Sequence, residues 1–336
     1  MKEQLVKEWV AEQDIPTVTA LPNPIDALEL LSSELPEPPE LVCGILHQGS
    51  KMVIGGGSKS FKTWSLVDLA ISVATGSKWW GFETNQGRVL YMNFEIQDPF
   101  FKARLKDVSF AKECHLAEGQ LSYWGLRGKA ADLRTLMPEI IAKLKDGGYS
   151  LIIFDPIYKG LGGRDENKAG DIASLLNEIE SLAVETGAAV AFGHHFSKGN
   201  QAGKDSMDRI SGSGVFARDP DSILTMTKHE QEDAFTIDPV LRNFPPVEAF
   251  VVRRVHPLMI RDASLDPKDL KKLTSQQKYA DEDILEPLKR GGMTTTEWQC
   301  ELATGIGISQ SGFHNRRRKL EERELIKKEG KKWVLK

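Results

Sequence analysis

The chain has 336 residues, of which 40% are hydrophobic and 27% are charged, and its net charge at pH 7 is −4. This composition is typical of a folded soluble protein, and the length allows one large α/β core and one small further domain. No apolar run approaches about 18 residues, which excludes a membrane span, and the charged segment 1–16 lacks the apolar stretch of a signal peptide, so we expect a cytoplasmic protein.

The predicted elements alternate between strands and helices over most of the chain. Residues 1–40 predict a poorly packed N-terminal arm with a proline-stiffened end, and LVCGIL (41–46) predicts a short strand. Apolar runs predict buried parallel strands at 52–55, 88–94, 121–124, 151–154 and 188–193, and apolar residues spaced by three and four predict a helix over 169–186. Antiparallel strands, including 249–254, are expected beyond Thr225. We therefore predict a core over 41–261, a Lys-rich linker over 262–280 and a separate C-terminal unit over 281–336.

A glycine-rich segment, KMVIGGGSKSFKTW (51–64), follows the first core strand and leads into a helix. Backbone N–H groups of such a loop and the helix N-terminus bind phosphate, the following lysine reaches the outer phosphates, and the threonine hydroxyl binds Mg²⁺. The segment predicts an ATP site rather than a plain strand–helix turn. The expected contacts are Gly56, Gly57, Ser58, Lys59, Ser60, Phe61, Lys62, Thr63 and Trp64.

One residue departs from the usual pattern G-x-x-x-x-G-K-[ST]. Phe61 stands where the second glycine belongs, next to the phosphate. Its side chain must therefore point away from the nucleotide, for example into the interface between sheet and helix. Lys59 adds a cation to the loop, which contacts phosphate or faces solvent.

Three later strands end in polar residues, where ligands bind in open α/β sheets. VLYMNFE (89–95) ends in Glu95, which suits a general base or a water-positioning residue, and SLIIFDP (150–156) contains Asp155, which suits the Mg²⁺ site. AAVAFGHHFSKG (188–199) contains His194 and His195, which predict a contact to the γ-phosphate. A metal site is the alternative for this pair, although no Cys or further His lies at the usual ligand spacing.

Two polar, glycine-containing segments, 156–170 and 196–214, follow the last two of these strands. Their positive charge suggests that they line a channel and contact a nucleic-acid backbone, with surface loops as the alternative. The basic residues proposed to contact nucleic acid are Lys159, Arg164, Lys198, Lys204 and Arg209.

The motif order GGGSKSFKT, YMNFE, IIFDP, GHHFSKG and ISGSGVFARDPDSILTM, spanning roughly residues 40–260, resembles that of RecA-fold ATPases, in particular the RepA-like hexameric helicases of plasmids, phages and other mobile elements. The resemblance implies an α/β fold with a RecA-like, mostly parallel sheet flanked by helices. It implies Lys62 and Thr63 as phosphate and Mg²⁺ contacts, Glu95 as the catalytic glutamate, Asp155 as the Walker B acid and His195 as the sensor. It also implies an arginine supplied by a neighbouring subunit, for which Arg242 is favoured over Arg218.

The C-terminal unit is basic, with ten Lys and Arg against four Glu over 309–336. Its predicted order of helix, helix, basic helix and hairpin indicates a winged-helix-like domain, in which the start of the basic helix faces base edges in the DNA major groove. A protein-contact domain is the alternative. The residues expected to contact DNA are Gln310, Ser311, His314, Asn315, Arg317, Arg318, Lys331 and Lys332.

Together these features favour a DNA-dependent, Mg²⁺-requiring ATPase that acts as a ring-forming, hexameric helicase or helicase-like replication protein of a mobile element, with DNA and replication proteins as partners and no membrane contact. Two alternatives stay open. One is an ATP-switched, sequence-specific DNA-binding protein, and the other is a helicase-loading adaptor without unwinding activity.

Overall fold

The computed structural model describes residues 23–129, 133–162, 168–195, 215, 218–271 and 280–336. The strands in these ranges are β1 (Glu40–Val42), β2 (Leu46–His47), β3 (Lys51–Gly56), β4 (Val89–Asn93), β5 (Leu121–Gly125), β6 (Leu151–Asp155), β7 (Ala189–His195), β8 (Ser222–Lys228), β9 (Ala234–Leu241), β10 (Phe250–Val255), β11 (Leu258–Arg261), β12 (Met293–Thr294), β13 (Ile326–Glu329) and β14 (Lys332–Leu335). The α-helices are α1 (Ala27–Ser32), α2 (Lys62–Thr75), α3 (Asp98–Ala111), α4 (Leu133–Leu144), α5 (Ala169–Thr186), α6 (Asp281–Lys289), α7 (Thr295–Ile306) and α8 (Gln310–Glu322), and a 3-10 helix spans Ile157–Leu161.

Nine strands form one large sheet in the order β11-β10-β9-β8-β3-β7-β6-β4-β5. The six strands from β8 to β5 run parallel, and β9, β10 and β11 extend the sheet with antiparallel pairings. The four central strands β3, β7, β6 and β4 are buried along nearly their whole length because helices cover both faces of the sheet, whereas the edge strand β5 is partly exposed. This arrangement confirms the predicted α/β class with a RecA-like, mostly parallel sheet.

Each face of the sheet has its own hydrophobic cluster. Met52 and Ile54 of β3 pack with α2 and α3 on one face, whereas Val53 packs with α4 and α5 on the other. Successive side chains of a strand point to opposite faces, so a buried strand contributes to both layers. Helix α5 has the predicted bounds and ends at Gly187, whose φ of 66° is the left-handed conformation that glycine adopts at helix ends.

Two predicted segments differ from the structure. Residues 41–46 do not form one strand, because a turn separates β1 from β2 and the two strands pair antiparallel. The first part of the predicted linker packs on the core: the Asp266 carbonyl lies 2.9 Å from His229 Nε2, and the Thr236 hydroxyl donates to the Pro267 carbonyl. Polar composition therefore indicated a free linker where backbone carbonyls in fact anchor the chain.

The C-terminal unit has a core of its own. Helices α6, α7 and α8 and the small sheet β12-β14-β13 enclose Trp298, Phe313 and Trp333. The Thr294 and Ser309 side chains accept hydrogen bonds from the first turns of α7 and α8, as N-caps do. Among the described residues, no helix is long and apolar enough to span a lipid bilayer.

Candidate nucleotide-binding site

Four neighbouring strands, β3, β7, β6 and β4, end at one edge of the large sheet. The glycine-rich loop follows β3, His195 ends β7, Asp155 ends β6, and Glu95 lies just beyond β4. The register pairs Gly56 with His195 and Asn93 with Asp155, so these strand ends are level. The structure thus brings together the side chains that the sequence placed at separate strand ends.

The loop between β3 and α2 has an unusual backbone. Lys59 and Phe61 adopt left-handed φ values of 59° and 64°, which are costly for residues other than glycine and concentrate at functional sites. Such residues turn successive N–H groups to one side, as in anion-binding nests. At Gly56 an added Cβ would lie 2.6 Å from Ser60 Oγ, so a side chain at this position would displace the Ser60 hydroxyl from the loop interior.

Lys62 is nearly buried, and its ammonium group is held by neutral partners. It donates to the carbonyl oxygens of Gly56 and Gly57, each at 2.9 Å, and lies 3.4 Å from His195 Nδ1. Burial lowers the pKa of Lys62 to about 8, against the opposing effect of the negative charges on Asp155 and Glu95. Among the residues that the structure describes, no carboxylate is bonded to the Lys62 ammonium group.

Asp155 is buried and bonded to hydroxyl groups. The Tyr91 hydroxyl donates to its Oδ2 at 2.7 Å, and Thr63 also donates to the carboxylate. Burial raises the pKa of Asp155, while the two hydroxyls and the charge of Lys62 act in the opposite direction. The contact with Thr63 joins the two side chains that the sequence assigned to Mg²⁺.

Glu95 is exposed at the same edge and is positioned by its neighbours. The Tyr158 hydroxyl donates to Glu95 Oε2 at 3.3 Å, and the Tyr158 ring packs against His195 with centroids 5.7 Å apart. The backbone N–H groups of Glu95 and Ile96 donate to the amide oxygen of buried Asn93, which fixes the turn after β4.

The residues present fit a nucleoside triphosphate with Mg²⁺. The Ser60 hydroxyl is buried inside the loop and has no hydrogen-bond partner among the described residues, which suits a donor to phosphate oxygen. Lys62 and the loop N–H groups would hold the phosphates, and Thr63 and Asp155 would hold the metal, with water and phosphate completing its shell. In the described ranges, no group of three or more His, Cys, Asp or Glu side chains could hold a metal ion.

The Phe61 ring points away from the loop interior. It packs edge-on against Phe235 of β9, with centroids 5.8 Å apart, and the Arg254 guanidinium lies 3.9 Å from its centroid. Trp64 is half-buried beside it and contacts the His256 ring. Lys59 and Ser58 are exposed. The structure agrees with the expectation that Phe61 packs at the interface between sheet and helix.

The two candidate arginines lie at the opposite edge of the sheet. Arg242 follows β9, whose end is level with the start of β3, and it donates to Asp221 Oδ1 at 3.1 Å and to the Arg218 carbonyl at 2.6 Å. Strand β3 has six residues, so at about 3.3 Å per residue this edge is about 17 Å from the loop. Neither arginine reaches the phosphate loop of its own chain.

The residues predicted to contact nucleic acid fall into three groups. Arg164, Lys198, Lys204 and Arg209 lie outside the described residues, and Lys159 is exposed with its ammonium 5.3 Å from the Tyr158 ring centroid. In the C-terminal unit, His314 and Arg317 are half-buried, and the Arg317 guanidinium lies 4.8 Å from the Trp333 ring centroid. The exposed predicted contacts are Gln310, Ser311, Asn315, Arg318, Lys331 and Lys332.

Sequence reasoning missed the residues that support the site. Tyr91 was counted only as part of an apolar run, although a polar tip inside a buried strand needs a partner and so signals a hydrogen bond. Tyr158 followed Asp155 closely enough to be found by the same strand-end argument. Arg254 gave no local signal, because its contact with Phe61 depends on the pairing of β9 and β10.

Comparison with known proteins gives a matching family model and solved structures of similar fold. A family model described as an AAA domain matches residues 16–201, more than half of the chain. A KaiC-like protein from the hyperthermophilic archaeon Pyrococcus horikoshii has a similar structure, with 12% sequence identity, a TM-score of 0.47 and coverage of 66% of this chain and 93% of that one. A search of the curated proteins gives no match.

Proposed function

The chain belongs to the AAA domain family of RecA-like P-loop ATPases, and we propose that it is a DNA-dependent, ring-forming ATPase that acts as a RepA-like helicase or helicase-like replication protein. The observation that carries the proposal is the distribution of groups across the large sheet. The phosphate loop, both acids and His195 meet at one edge, whereas Arg242 is held at the other.

The side chains at the edge with the phosphate loop have separate roles in ATP hydrolysis. Lys62 and the loop N–H groups bind the β- and γ-phosphates, and the Thr63 hydroxyl and Asp155 carboxylate hold the metal. A Mg²⁺ ion held there would supply positive charge to offset the charge that develops on the phosphate oxygens. Glu95 orients the attacking water and accepts its proton, and Tyr158 keeps this carboxylate and His195 beside each other.

A neighbouring subunit supplies the missing arginine. Arg242 has a half-exposed side chain that Asp221 and the Arg218 carbonyl hold at the edge about 17 Å from its own loop. An arginine in this position contributes to catalysis only at the site of another copy, where it stabilises charge on the transferred phosphoryl group. Head-to-tail contacts of this kind form a ring when the rotation between copies closes, and the proposal takes that ring to be a hexamer.

The C-terminal unit is proposed to bind duplex DNA as a winged helix. Its order of helix, strand, helix, helix, strand and strand is that of winged-helix domains, and α8 would enter the major groove. Arg316 and Arg323 both bind Asp281 and Arg317 lies over Trp333, so these three cations are partly engaged within the unit. The exposed polar residues at the start of α8 read bases, and Lys331 and Lys332 on the β13–β14 hairpin contact phosphate.

The test is ATP hydrolysis by the purified full-length chain, with and without single-stranded DNA. We expect turnover that DNA stimulates and that Lys62→Ala abolishes, and unwinding of a forked duplex by the same preparation. Hydrolysis that is indifferent to DNA, together with a monomeric state in the presence of both ATP and DNA, would overturn the proposal.

A second candidate is an ATP-switched DNA-binding protein or loading adaptor, favoured by the exposed start of α8 in a unit with its own core. In that case nucleotide binding, not hydrolysis, controls DNA affinity. Glu95→Gln would then leave DNA binding and partner loading intact. A motor requires that the same substitution stop strand separation while ATP stays bound.

A further inference from the structure

Phe61 holds a bulky side chain in a backbone conformation that suits glycine. Its φ is 64°, and it is the residue immediately before helix α2 and Lys62. The first turn of the helix depends on it, because the Phe61 carbonyl accepts the Ser65 N–H at 3.1 Å and the Ser65 hydroxyl at 3.3 Å. A left-handed phenylalanine is strained, so packing elsewhere must hold it in place.

The packing comes from the antiparallel extension of the sheet. The Arg254 guanidinium lies over the ring at 3.9 Å from its centroid, and Phe235, itself nearly buried, meets the ring edge-on. A cation this close to an aromatic face is attracted by the negative charge density of the ring. Arg254 and Phe235 lie on β10 and β9, two strands that contribute no other side chain to the phosphate-binding edge described above.

Arg254 is itself fixed on three sides. Its backbone N–H donates to the Asp233 carbonyl at 2.8 Å, its Nη2 lies 2.9 Å from His256 Nδ1, and its guanidinium is 5.4 Å from the Trp64 ring centroid. Trp64 in turn contacts His256. These contacts give the Arg254 guanidinium a defined position, in which it can pack against the Phe61 ring.

We propose that Arg254 is a positioning residue for the phosphate loop and acts through Phe61. The cation over the ring stabilises the left-handed conformation at Phe61, and this conformation orients the loop N–H groups and the start of α2 toward phosphate. The contact between Arg254 and the Phe61 ring thus stabilises a conformation that a glycine at this position would adopt unaided. This inference rests on the proposed nucleotide site, and the following experiment separates the failure of one from the failure of the other.

The experiment is a double-mutant cycle on the affinity for Mg²⁺·ADP, measured by isothermal titration calorimetry on the full-length chain. The variants are Arg254→Ala, Phe61→Gly and the double substitution. Arg254→Ala is expected to weaken binding up to about tenfold in the wild-type background, within the range of a cation–π contact between two partly buried side chains. In the Phe61→Gly background, where glycine adopts the left-handed conformation unaided, the same change is expected to alter affinity by less than about twofold.

Two control variants keep the result interpretable. Arg253→Ala changes the adjacent residue of β10, which pairs with Asp262 instead, and it is expected to leave the affinity unchanged. Arg254→Gln keeps the length of the side chain without its charge and replaces Arg254→Ala if that variant does not fold, as judged by thermal unfolding.

Every outcome decides the proposal. Coupling between positions 61 and 254 supports it. An equal loss of affinity in both backgrounds would show that Arg254 acts on the nucleotide directly or through its charge. No loss of affinity in either background would show that Arg254 plays no part. Either result overturns this inference and leaves the proposed function standing. A wild-type chain that binds no Mg²⁺·ADP overturns the proposed function and this inference together.

Discussion

Lys51 and Lys62 are two buried lysines, one at the start of β3 and one just beyond its end, with 5% and 9% of their surfaces exposed. Lys51 forms ion pairs with Asp219 and Glu180 at 2.5 and 2.6 Å, and although its burial acts to lower its pKa, these carboxylates raise it. Lys62 instead bonds two carbonyl oxygens, and its burial lowers its pKa to about 8.

The difference indicates what each edge of the sheet is for. At the amino edge, where the parallel strands begin, the positive charges are paired within the chain. Carboxylates hold Lys51 and the half-exposed Arg242 in fixed positions. The carboxyl edge, where these strands end, is left incomplete: Lys62 and Asp155 are bonded to neutral groups, and the buried Ser60 hydroxyl has no hydrogen-bond partner among the described residues. A buried charge without a bonded counterion is costly, so an anion that binds Lys62 replaces weak partners with a strong one.

Replacing each of the two lysines by alanine gives the largest expected effect. Lys62→Ala should abolish ATP turnover and nucleotide binding while leaving the free energy of unfolding of the nucleotide-free chain nearly unchanged. Lys51→Ala should do the reverse and lower that free energy by about 1 kcal/mol, because it breaks two ion pairs whose carboxylates, on Asp219 and Glu180, are partly exposed and remain solvated. Urea denaturation with and without Mg²⁺·ADP measures both. Equal loss of stability in the two variants would remove the distinction between the edges.

Substitution of Arg242 tests whether the amino edge contributes to the catalytic site of a second copy. Arg242→Ala should lower kcat about 10³-fold, as loss of a trans-acting arginine does, with little change in the affinity for ATP. Arg218→Ala is the matched control, since Arg242 contacts only the backbone carbonyl of Arg218, which alanine retains. Steady-state kinetics decide between them, and the opposite ranking would transfer the role to Arg218.

The pKa of Lys62 predicts a pH dependence of binding. Below about pH 8 the ammonium form is present in the free protein, and above it binding must recover a proton because phosphate favours the charged form. The dissociation constant for Mg²⁺·ADP should therefore be flat below pH 8 and should rise above it by up to about tenfold per pH unit. Calorimetric titration between about pH 6.5 and about pH 9.5 measures it. A constant affinity up to the upper limit would contradict the argument.

The smallest effect is expected in the C-terminal unit. Lys331→Ala with Lys332→Ala should weaken duplex DNA binding by the C-terminal unit several-fold and reduce the salt slope of log K by about 2, because each lysine neutralises one phosphate. Lys336→Ala is a suitable control, since its ammonium pairs with Glu324. Fluorescence anisotropy at several salt concentrations gives both quantities, and an unchanged slope would argue for a protein-contact role of the hairpin.

Much of the site was predictable because parallel strands share one carboxyl edge. The glycine-rich loop, Glu95, Asp155 and His195 each follow an apolar run, so local pattern alone placed them together. The support of the site was not predictable in the same way. Asp155 needs Tyr91, Phe61 needs Arg254, and Lys51 needs Glu180, and each pair is formed by strand order or helix packing that no local pattern contains.

If the two edges of the sheet form one composite site between copies, a mixture of two inactive variants must regain activity. Lys62→Ala keeps Arg242, and Arg242→Ala keeps the phosphate loop, so random mixing in equal amounts should restore about a quarter of the wild-type turnover per site. Mixing Arg242→Ala with a chain carrying both substitutions should restore none. If the first mixture is no more active than its two components, the arginine does not act across a subunit interface and the account fails.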